Sequence, residues 1–192
     1  MKKTITYAIV IILLIAGGWI IKNATSENSD VAKDFPFESI NSINDLENSK
    51  LYTSKIFNFR ISYPENWIVS SNENEVGYNV SFSSIELTEP RIPNNEAKIE
   101  INIIENKNKN NINEWVENFH NEDPFFQGQI SASKEILIAD KSAKIEIING
   151  NPINYSAAYI PLGNDYIMII TGPEIQSKYG ETFLKMLKSL TL

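Results

Sequence analysis

The sequence predicts an α+β fold, in which an antiparallel β-sheet is sandwiched by helices (α-β-α) and preceded by one N-terminal transmembrane helix. Three observations predict this architecture. Several short segments alternate apolar and polar residues and are separated by turn-forming residues. Two segments in the second half of the chain instead repeat apolar residues at helical spacing. Near the N-terminus, a long apolar run carries no charge.

The uncharged run covers residues 5–21, and residues 1–4 precede it. As a helix the run spans about 25 Å, and flanking lysines can extend it toward the roughly 30 Å of a hydrocarbon core. Lys2 and Lys3 outweigh Lys22 on the other side, so residues 1–4 are expected in the cytoplasm and the rest of the chain outside. We therefore expect a single-pass signal anchor in the cell membrane. The alternative is a secretory signal that is cleaved to release the protein.

A polar segment follows the anchor at residues 22–50. It is rich in Asn, Ser, Asp and Glu and has little apolar periodicity, which is typical of a linker or stalk. The Phe-Pro-Phe sequence at residues 35–37 interrupts it and is expected to dock on the folded domain, with a recognition segment as the alternative. Residues 51–192 then form one extracytoplasmic domain.

The folded domain is expected to open with a strand at residues 56–61. A turn containing Pro64 ends this strand before extended structure resumes at Trp67, which predicts a hairpin-like entry. Further period-two alternation predicts half-buried strands at residues 80–82, 99–103, 136–138, 145–147 and 155–159. Because these strands follow one another through short turns, the sheet is expected to be antiparallel.

Two amphipathic helices complete the predicted layers. The first is predicted from apolar residues at positions i, i+3, i+4 and i+7, namely Ile112, Trp115, Val116 and Phe119. Residues 166–170 are almost continuously apolar, which predicts a central strand covered on both faces. A closing helix is predicted with Pro173 in its first turn and an apolar face that extends to Leu190.

Residues 59–67, F-R-I-S-Y-P-E-N-W, resemble the F-x-I-x-Y-P-x-x-W opening motif of the PsbP-like family, named for the extrinsic oxygen-evolving enhancer protein of photosystem II. The last hairpin and terminal helix are similar to the family's second half, so the resemblance covers about residues 51–192. It implies an α-β-α sandwich in a membrane-anchored prokaryotic member, a group in which many proteins have no assigned role. It implies neither photosynthesis nor a functional residue, since Tyr63, Pro64 and Trp67 fit turn and core positions.

The composition argues against several classes of function. A net charge of -7 and a pI of about 4.8 disfavour a groove for nucleic acid, which needs clustered Lys and Arg. The absence of Cys removes disulfides, thiolate nucleophiles and zinc-thiolate sites. No glycine-rich phosphate loop or nucleophile elbow occurs. We therefore expect no cofactor, no nucleic-acid partner and no enzymatic activity.

Two short patterns suggest chemistry, and each has a simpler interpretation. His120, the single histidine, stands beside Glu122 and Asp123, which makes a site of one His and two carboxylates conceivable. A solvated helix end is expected instead, because His is favourable near the negative pole of a helix. Ser131 and Lys134 match the S-x-x-K pattern of penicillin-binding proteins, but on a predicted strand and without the companion motifs, which indicates a chance match.

The candidate partner contact is Phe125 and Phe126, in a turn-like loop, together with His120. The alternative is that both rings cover the edge of the sheet. Our leading hypothesis is a non-enzymatic accessory module that binds an unknown envelope protein, in a process the sequence does not identify. The alternative is a metal or small-ligand module with oxygen ligands of the type that Ca²⁺ prefers, and a Ser-Lys hydrolase is the third hypothesis.

Overall fold

The computed structural model describes residues 35–36, 38–74, 77–85, 96–122, 128–150 and 153–192. These residues belong to one unit, Lys33–Leu192. The predicted cytoplasmic segment 1–4, the predicted anchor 5–21 and the linker as far as residue 34 lie outside the described residues. Within the described part, no helix is long and apolar enough to cross a membrane.

The described residues form nine strands, two α-helices and one 3-10 turn at Ile40–Ser42. The strands are β1 Ser49–Thr53, β2 Arg60–Pro64, β3 Ile68–Asn74, β4 Gly77–Ser83, β5 Lys98–Glu105, β6 Gln129–Ile138, β7 Lys141–Asn149, β8 Tyr155–Leu162 and β9 Tyr166–Pro173. The helices are α1 Ile112–Glu122 and α2 Gly180–Lys188.

Seven of these strands form one antiparallel sheet with the order β3-β4-β5-β9-β8-β7-β6. Strand β9 has three strands on either side, as its continuous apolar sequence predicted. Met168 and Ile170 belong to one buried cluster, whereas Ile167 and Ile169 belong to another on the opposite face. The antiparallel sheet with helices on both faces is therefore confirmed.

Each face of the sheet has its own apolar core. One core, which we call the α2-side core, joins the inner faces of β4 and β5 to helix α2, whose Phe183 and Met186 are completely buried. The other, the α1-side core, packs Trp115 and Val116 of helix α1 against β7, β8 and β9. Burying apolar area on both faces supplies the main driving force for this three-layer arrangement.

The predicted hairpin-like entry is wrong. Strand β2 pairs with β1, not with β3, and β1–β2 forms a separate two-stranded ribbon in the α2-side layer. The ribbon attaches to the sheet through Tyr52, whose ring packs edge-on against Phe82 at 5.7 Å and whose hydroxyl bonds Glu73 and Tyr78. Strand β1 is mostly exposed, so its sequence lacks the alternation by which the other strands were predicted.

The predicted domain boundary at residue 51 is too late. Ile40 is only 4% exposed within the α2-side core, and Phe35 packs against the same core, as its expected docking required. The Nζ atom of Lys188 donates a 2.6 Å hydrogen bond to the backbone oxygen of Ile43. Residues from Phe35 onward therefore belong to the fold, because their few apolar side chains are covered by it; Phe37 lies outside the described residues.

The predicted start of the closing helix is also wrong. Pro173 is the last residue of β9 and lies opposite Tyr155, so the sheet extends to the position where a helix was expected. Ile175 is buried in the turns that follow, and its backbone N–H donates to the hydroxyl of Ser156 at 3.1 Å. Helix α2 begins only at Gly180, where a Cβ would collide with the backbone of Ile175.

The surroundings of Gly172 in β9 show how closely α2 approaches the sheet. A Cβ there would lie inside van der Waals contact with the Phe183 ring and 3.1 Å from Cγ1 of Ile99. We expect Gly172→Ala to lower the free energy of unfolding by about 1–3 kcal/mol, because the core must shift to accept it. Urea unfolding of the full-length protein in mild detergent, with the midpoint and slope measured, checks this.

The double variant Gly172→Ala with Phe183→Leu is the control. Its loss should be smaller than the sum of the two single losses, because the smaller side chain makes room for the new methyl group. An unchanged unfolding midpoint for Gly172→Ala would contradict the close packing described here.

Candidate functional site

The face of the sheet that carries α1 is polar on one half of its width and apolar on the other half. Residues directly opposite one another on paired strands point to the same face, so the strand register gives continuous rows. One row runs Ser70, Ser81, Glu100, Thr171, Ala157, Glu146 and Ser133. The next runs Asn72, Asn79, Asn102, Ile169, Tyr159, Lys144 and Glu135. Both rows are polar on β3–β5 and enter the α1-side core beyond β5.

We call the polar half of this surface the polar face, consisting of Ser70, Asn72, Asn79, Ser81, Glu100 and Asn102. Its amides are ordered across the strands, since Nδ2 of Asn79 donates to Oδ1 of Asn102 at 2.8 Å. Ser70 and Asn72 are exposed on the edge strand, whereas Asn79, Glu100 and Asn102 are half-buried and Ser81 is only 9% exposed. The face therefore offers hydrogen-bonding groups on a regular β scaffold.

Helix α1 covers the other half of this face. Oδ1 of Asn111 accepts hydrogen bonds from the backbone N–H groups of Asn113 and Glu114, at 3.1 and 3.0 Å, which caps the N-terminus of the helix. The rings of Trp115 and Phe119 stack at 4.9 Å with an angle of 13° between their planes. The predicted amphipathic helix is therefore confirmed, with its apolar stripe against β7–β9.

A polar cluster lies beneath the C-terminal end of α1. We call it the Glu146 cluster, because the side chain of Glu146 is 0% exposed at its centre. Oε1 of Glu146 lies 3.4 Å from Nζ of Lys144 and accepts a 3.4 Å hydrogen bond from the hydroxyl of Ser133. Nε2 of His120 lies 3.0 Å from the hydroxyl of Tyr159 and 3.3 Å from Oε2 of Glu146. That second contact has the distance of a charge pair without the geometry of a hydrogen bond.

Burial sets the protonation of this cluster. It raises the pKa of Glu146 above the usual carboxyl value, although the charge of Lys144 and the hydrogen bonds from Lys144 and Ser133 oppose the shift. Burial, followed by the nearby charge of Glu146, also raises the pKa of the Tyr159 hydroxyl. Because α1 covers Glu146, a substrate could reach this carboxylate only if α1 moved away. The contacts of His120 with Tyr159 and Glu146 hold α1 on the sheet.

The structure corrects the expected surroundings of His120. Its side chain is only 10% exposed and contacts Tyr159 and Glu146, so the expected solvated helix end is wrong. The helix places His120 over β7 and β8, where the sheet supplies partners that the local sequence does not show. Among the described residues, no group of three or more His, Asp or Glu side chains is placed to hold a metal ion. Phe125 and Phe126 lie outside the described residues, so their role as a partner contact stays a prediction.

Ser131 and Lys134 each have a structural partner. The Ser131 hydroxyl donates to the backbone oxygen of Ile147 at 3.1 Å, next to an irregularity in the β6–β7 pairing. Nζ of Lys134 donates to the backbone oxygen of Glu38 at 3.0 Å, which fastens the segment before β1. The S-x-x-K pattern was expected on a strand, and this is confirmed because both residues lie on β6.

A groove of about 190 Å³ separates α1 from the end of β5 and the loop that follows it. Its lining residues are Ile104, Glu105, Asn106, Lys107, Asn108, Asn110, Trp115, Asn118, Phe119 and Glu122. Because amide side chains dominate its rim, we call it the amide groove. Neither the groove nor the Glu146 cluster could be predicted from the sequence, since each joins residues from elements whose pairing the sequence does not specify.

Comparison with solved structures shows which known fold this chain resembles. The chain is similar to cyanobacterial PsbP (CyanoP) from Synechocystis sp. PCC 6803, with a TM-score of 0.51 and 10% sequence identity. The match covers 77% of this chain and 94% of that chain. No protein-family model matches the sequence, and the search of curated proteins gives no match. The likeness supports the PsbP-like fold that the opening motif predicted.

The raised pKa of Glu146 predicts a pH-dependent stability. The folded protein holds this proton more tightly than the unfolded chain, so the associated stability is fully present below the unfolded pKa of about 4.3 and is lost as the pH rises through the folded pKa. Glu146→Gln stays neutral at every pH. We therefore expect wild type to lose stability relative to this variant as the pH is raised from about 4 toward neutral.

Denaturant unfolding of both proteins across this pH range measures the difference. Glu117→Gln, an exposed substitution on the same helix, is the matched control because it leaves the Glu146 cluster intact. If the stabilities of wild type and Glu146→Gln changed in parallel with pH, burial would not shift the pKa of the Glu146 carboxyl.

Proposed function

We propose that this protein is a non-enzymatic accessory domain that binds an envelope protein through the polar face. Residues 5–21 would hold it on the outer side of the cell membrane. The observation that carries the proposal is the uneven cover of one side of the sheet, where α1 packs on β7–β9 and the β3–β5 half carries Ser, Asn and Glu side chains that are exposed on β3 and half-buried on β5. A PsbP-like fold is compatible with a non-catalytic accessory role.

Two exposed apolar side chains flank the polar face. Ile68 and Ile104 lie on the same side of the sheet, in the rows immediately before and after the two polar rows, and they are 43% and 38% exposed. Apolar anchors beside hydrogen-bonding groups are typical of protein interfaces, where burial supplies affinity and the polar groups fix the register. A regular sheet also presents these groups with little loss of conformational entropy on binding.

The buried carboxylate of Glu146 and the S-x-x-K pattern both support a structural interpretation. Glu146 is enclosed beneath α1, and Ser131 and Lys134 both donate hydrogen bonds to backbone oxygens. A general base or nucleophile needs a side chain that can reach a substrate, which the enclosed carboxyl does not offer. These contacts favour binding over turnover.

The expected anchor would keep the polar face close to the membrane. Residues 22–34 would connect the transmembrane helix to Phe35, the first described residue, and thirteen residues reach at most about 45 Å when fully extended. The partner would therefore be a membrane protein or a protein bound close to the membrane surface. Phe125 and Phe126 remain the predicted second contact.

The test compares two exposed serines on the same side of the sheet, Ser70 on the edge strand β3 and Ser142 on β7, which lies next to the opposite edge strand β6. Full-length variants Ser70→Arg and Ser142→Arg are crosslinked in native membranes, and captured proteins are quantified by mass spectrometry. We expect Ser70→Arg to lower capture of the main partner at least about tenfold, which corresponds to about 1.4 kcal/mol of binding free energy. Ser142→Arg should behave as wild type.

An equal loss in both variants would argue against the polar face, as would crosslinks that map to α2 or to the β1–β2 ribbon. Turnover of ester, phosphoester or peptidoglycan substrates that Ser131→Ala or His120→Ala abolishes would contradict the non-enzymatic proposal.

A further inference from the structure

We propose that the amide groove binds one sugar ring of an uncharged saccharide. The groove lies between α1 and the loop after β5, and it shares only Ile104 with the contact surface of the proposed protein partner. Its volume of about 190 Å³ is below the roughly 300–1,000 Å³ of sites for drug-sized ligands. The groove therefore suits one small ring, either alone or as one unit of a longer chain.

The charges around the groove select against ions. Glu105 and Glu122 contribute two negative charges and Lys107 one positive charge, so a phosphate or carboxylate ligand would meet a small excess of like charge. A divalent cation would need several carboxylate or carbonyl ligands at one point. Among the described residues no such group of acidic or His side chains is found. An uncharged ligand with many polar groups fits this balance best.

The side chains of the groove match the two kinds of surface on a sugar ring. Amides of Asn108 and Asn118 can both donate and accept, and the carboxylate of Glu122 accepts, so together they can pair with hydroxyl groups of either polarity. The floor is aromatic, with the half-buried Phe119 stacked on Trp115, which is 8% exposed. A pyranose ring presents C–H groups on its flatter side, and these pack favourably against aromatic carbon.

The rim of the groove is held in place before any ligand arrives. Asn106 is only 4% exposed, and its side chain donates to the backbone oxygen of Asn110 at 2.9 Å and accepts from the backbone N–H of Asn110 at 3.1 Å. The backbone N–H of Asn106 also donates to the backbone oxygen of Asp165 at 2.7 Å. A loop fixed in this way loses little conformational entropy on binding, which favours even a small ligand.

The test is a titration of the full-length protein in mild detergent with N-acetylglucosamine, its β-1,4-linked tetramer, cellotetraose and maltotetraose. Tryptophan fluorescence reports binding because Trp115 lines the groove, and isothermal calorimetry gives the dissociation constant. We expect at least one saccharide to change the emission and saturate at millimolar concentration. Ca²⁺, inorganic phosphate and spermidine are titrated in parallel and should produce no saturable change.

Asn118→Ala and Asn121→Ala are a matched pair, since both residues are exposed on α1 but only Asn118 lines the groove. We expect Asn118→Ala to weaken saccharide binding at least about fivefold and Asn121→Ala to change it less than about twofold. Glu122→Gln serves as a second groove variant and should also weaken binding. Circular dichroism confirms that each variant is folded.

The absence of any response to these saccharides at about 10 mM would overturn the inference, as would equal weakening by both asparagine variants. A saturable response to Ca²⁺ or spermidine alone would also overturn it, because the groove would then bind a cation and not a saccharide. Ser70→Arg should leave saccharide binding unchanged, so failure of the protein-partner proposal and failure of this one are separate results.

Discussion

Strand β9 must be covered on both faces, and the rest of the architecture depends on this constraint. Its residues alternate between two apolar cores, with Met168 and Ile170 on one side and Ile167 and Ile169 on the other. Leaving the α2-side face in water would expose apolar side chains of six strands, β4 to β9, and leaving the other face in water would expose those of β7, β8 and β9. Helix α2 closes one face, where Phe183 packs over Gly172, and α1 closes part of the other.

The size of α1 explains why a polar face exists. An 11-residue helix is about 16 Å long and 10–12 Å in diameter, whereas seven strands about 4.8 Å apart make a sheet about 29 Å across. One such helix can cover only about half of that width. On the α1 side of β3–β5 the sequence supplies Ser, Asn and Glu, which tolerate water, and this same choice leaves a surface available to another molecule. The shape of the core and the proposed binding role thus have one origin.

Much of the fold could be predicted because alternation records directly which face of a strand is buried. Strands β4 and β5 were predicted in this way, whereas β9 was predicted from its continuous apolar run and helix α1 from apolar residues at helical spacing. Strand β1 was missed because an exposed ribbon needs no alternation, and Glu146 was missed for a different reason. Its position between Ile145 and Ile147 indicated only that it faces the other side of the sheet from them. Whether that side is open or covered depends on where α1 packs, which one sequence does not specify.

The most direct measurement is the accessibility of Ser70 in the native membrane, and the absence of cysteine from the chain makes it clean. Ser70→Cys and Ser142→Cys are labelled with a maleimide in native membranes and again after purification in detergent. If a partner occupies the polar face, labelling at position 70 is slow in the membrane and fast after purification, while position 142 reacts equally in both. Equal rates at position 70 in the two conditions would contradict the account.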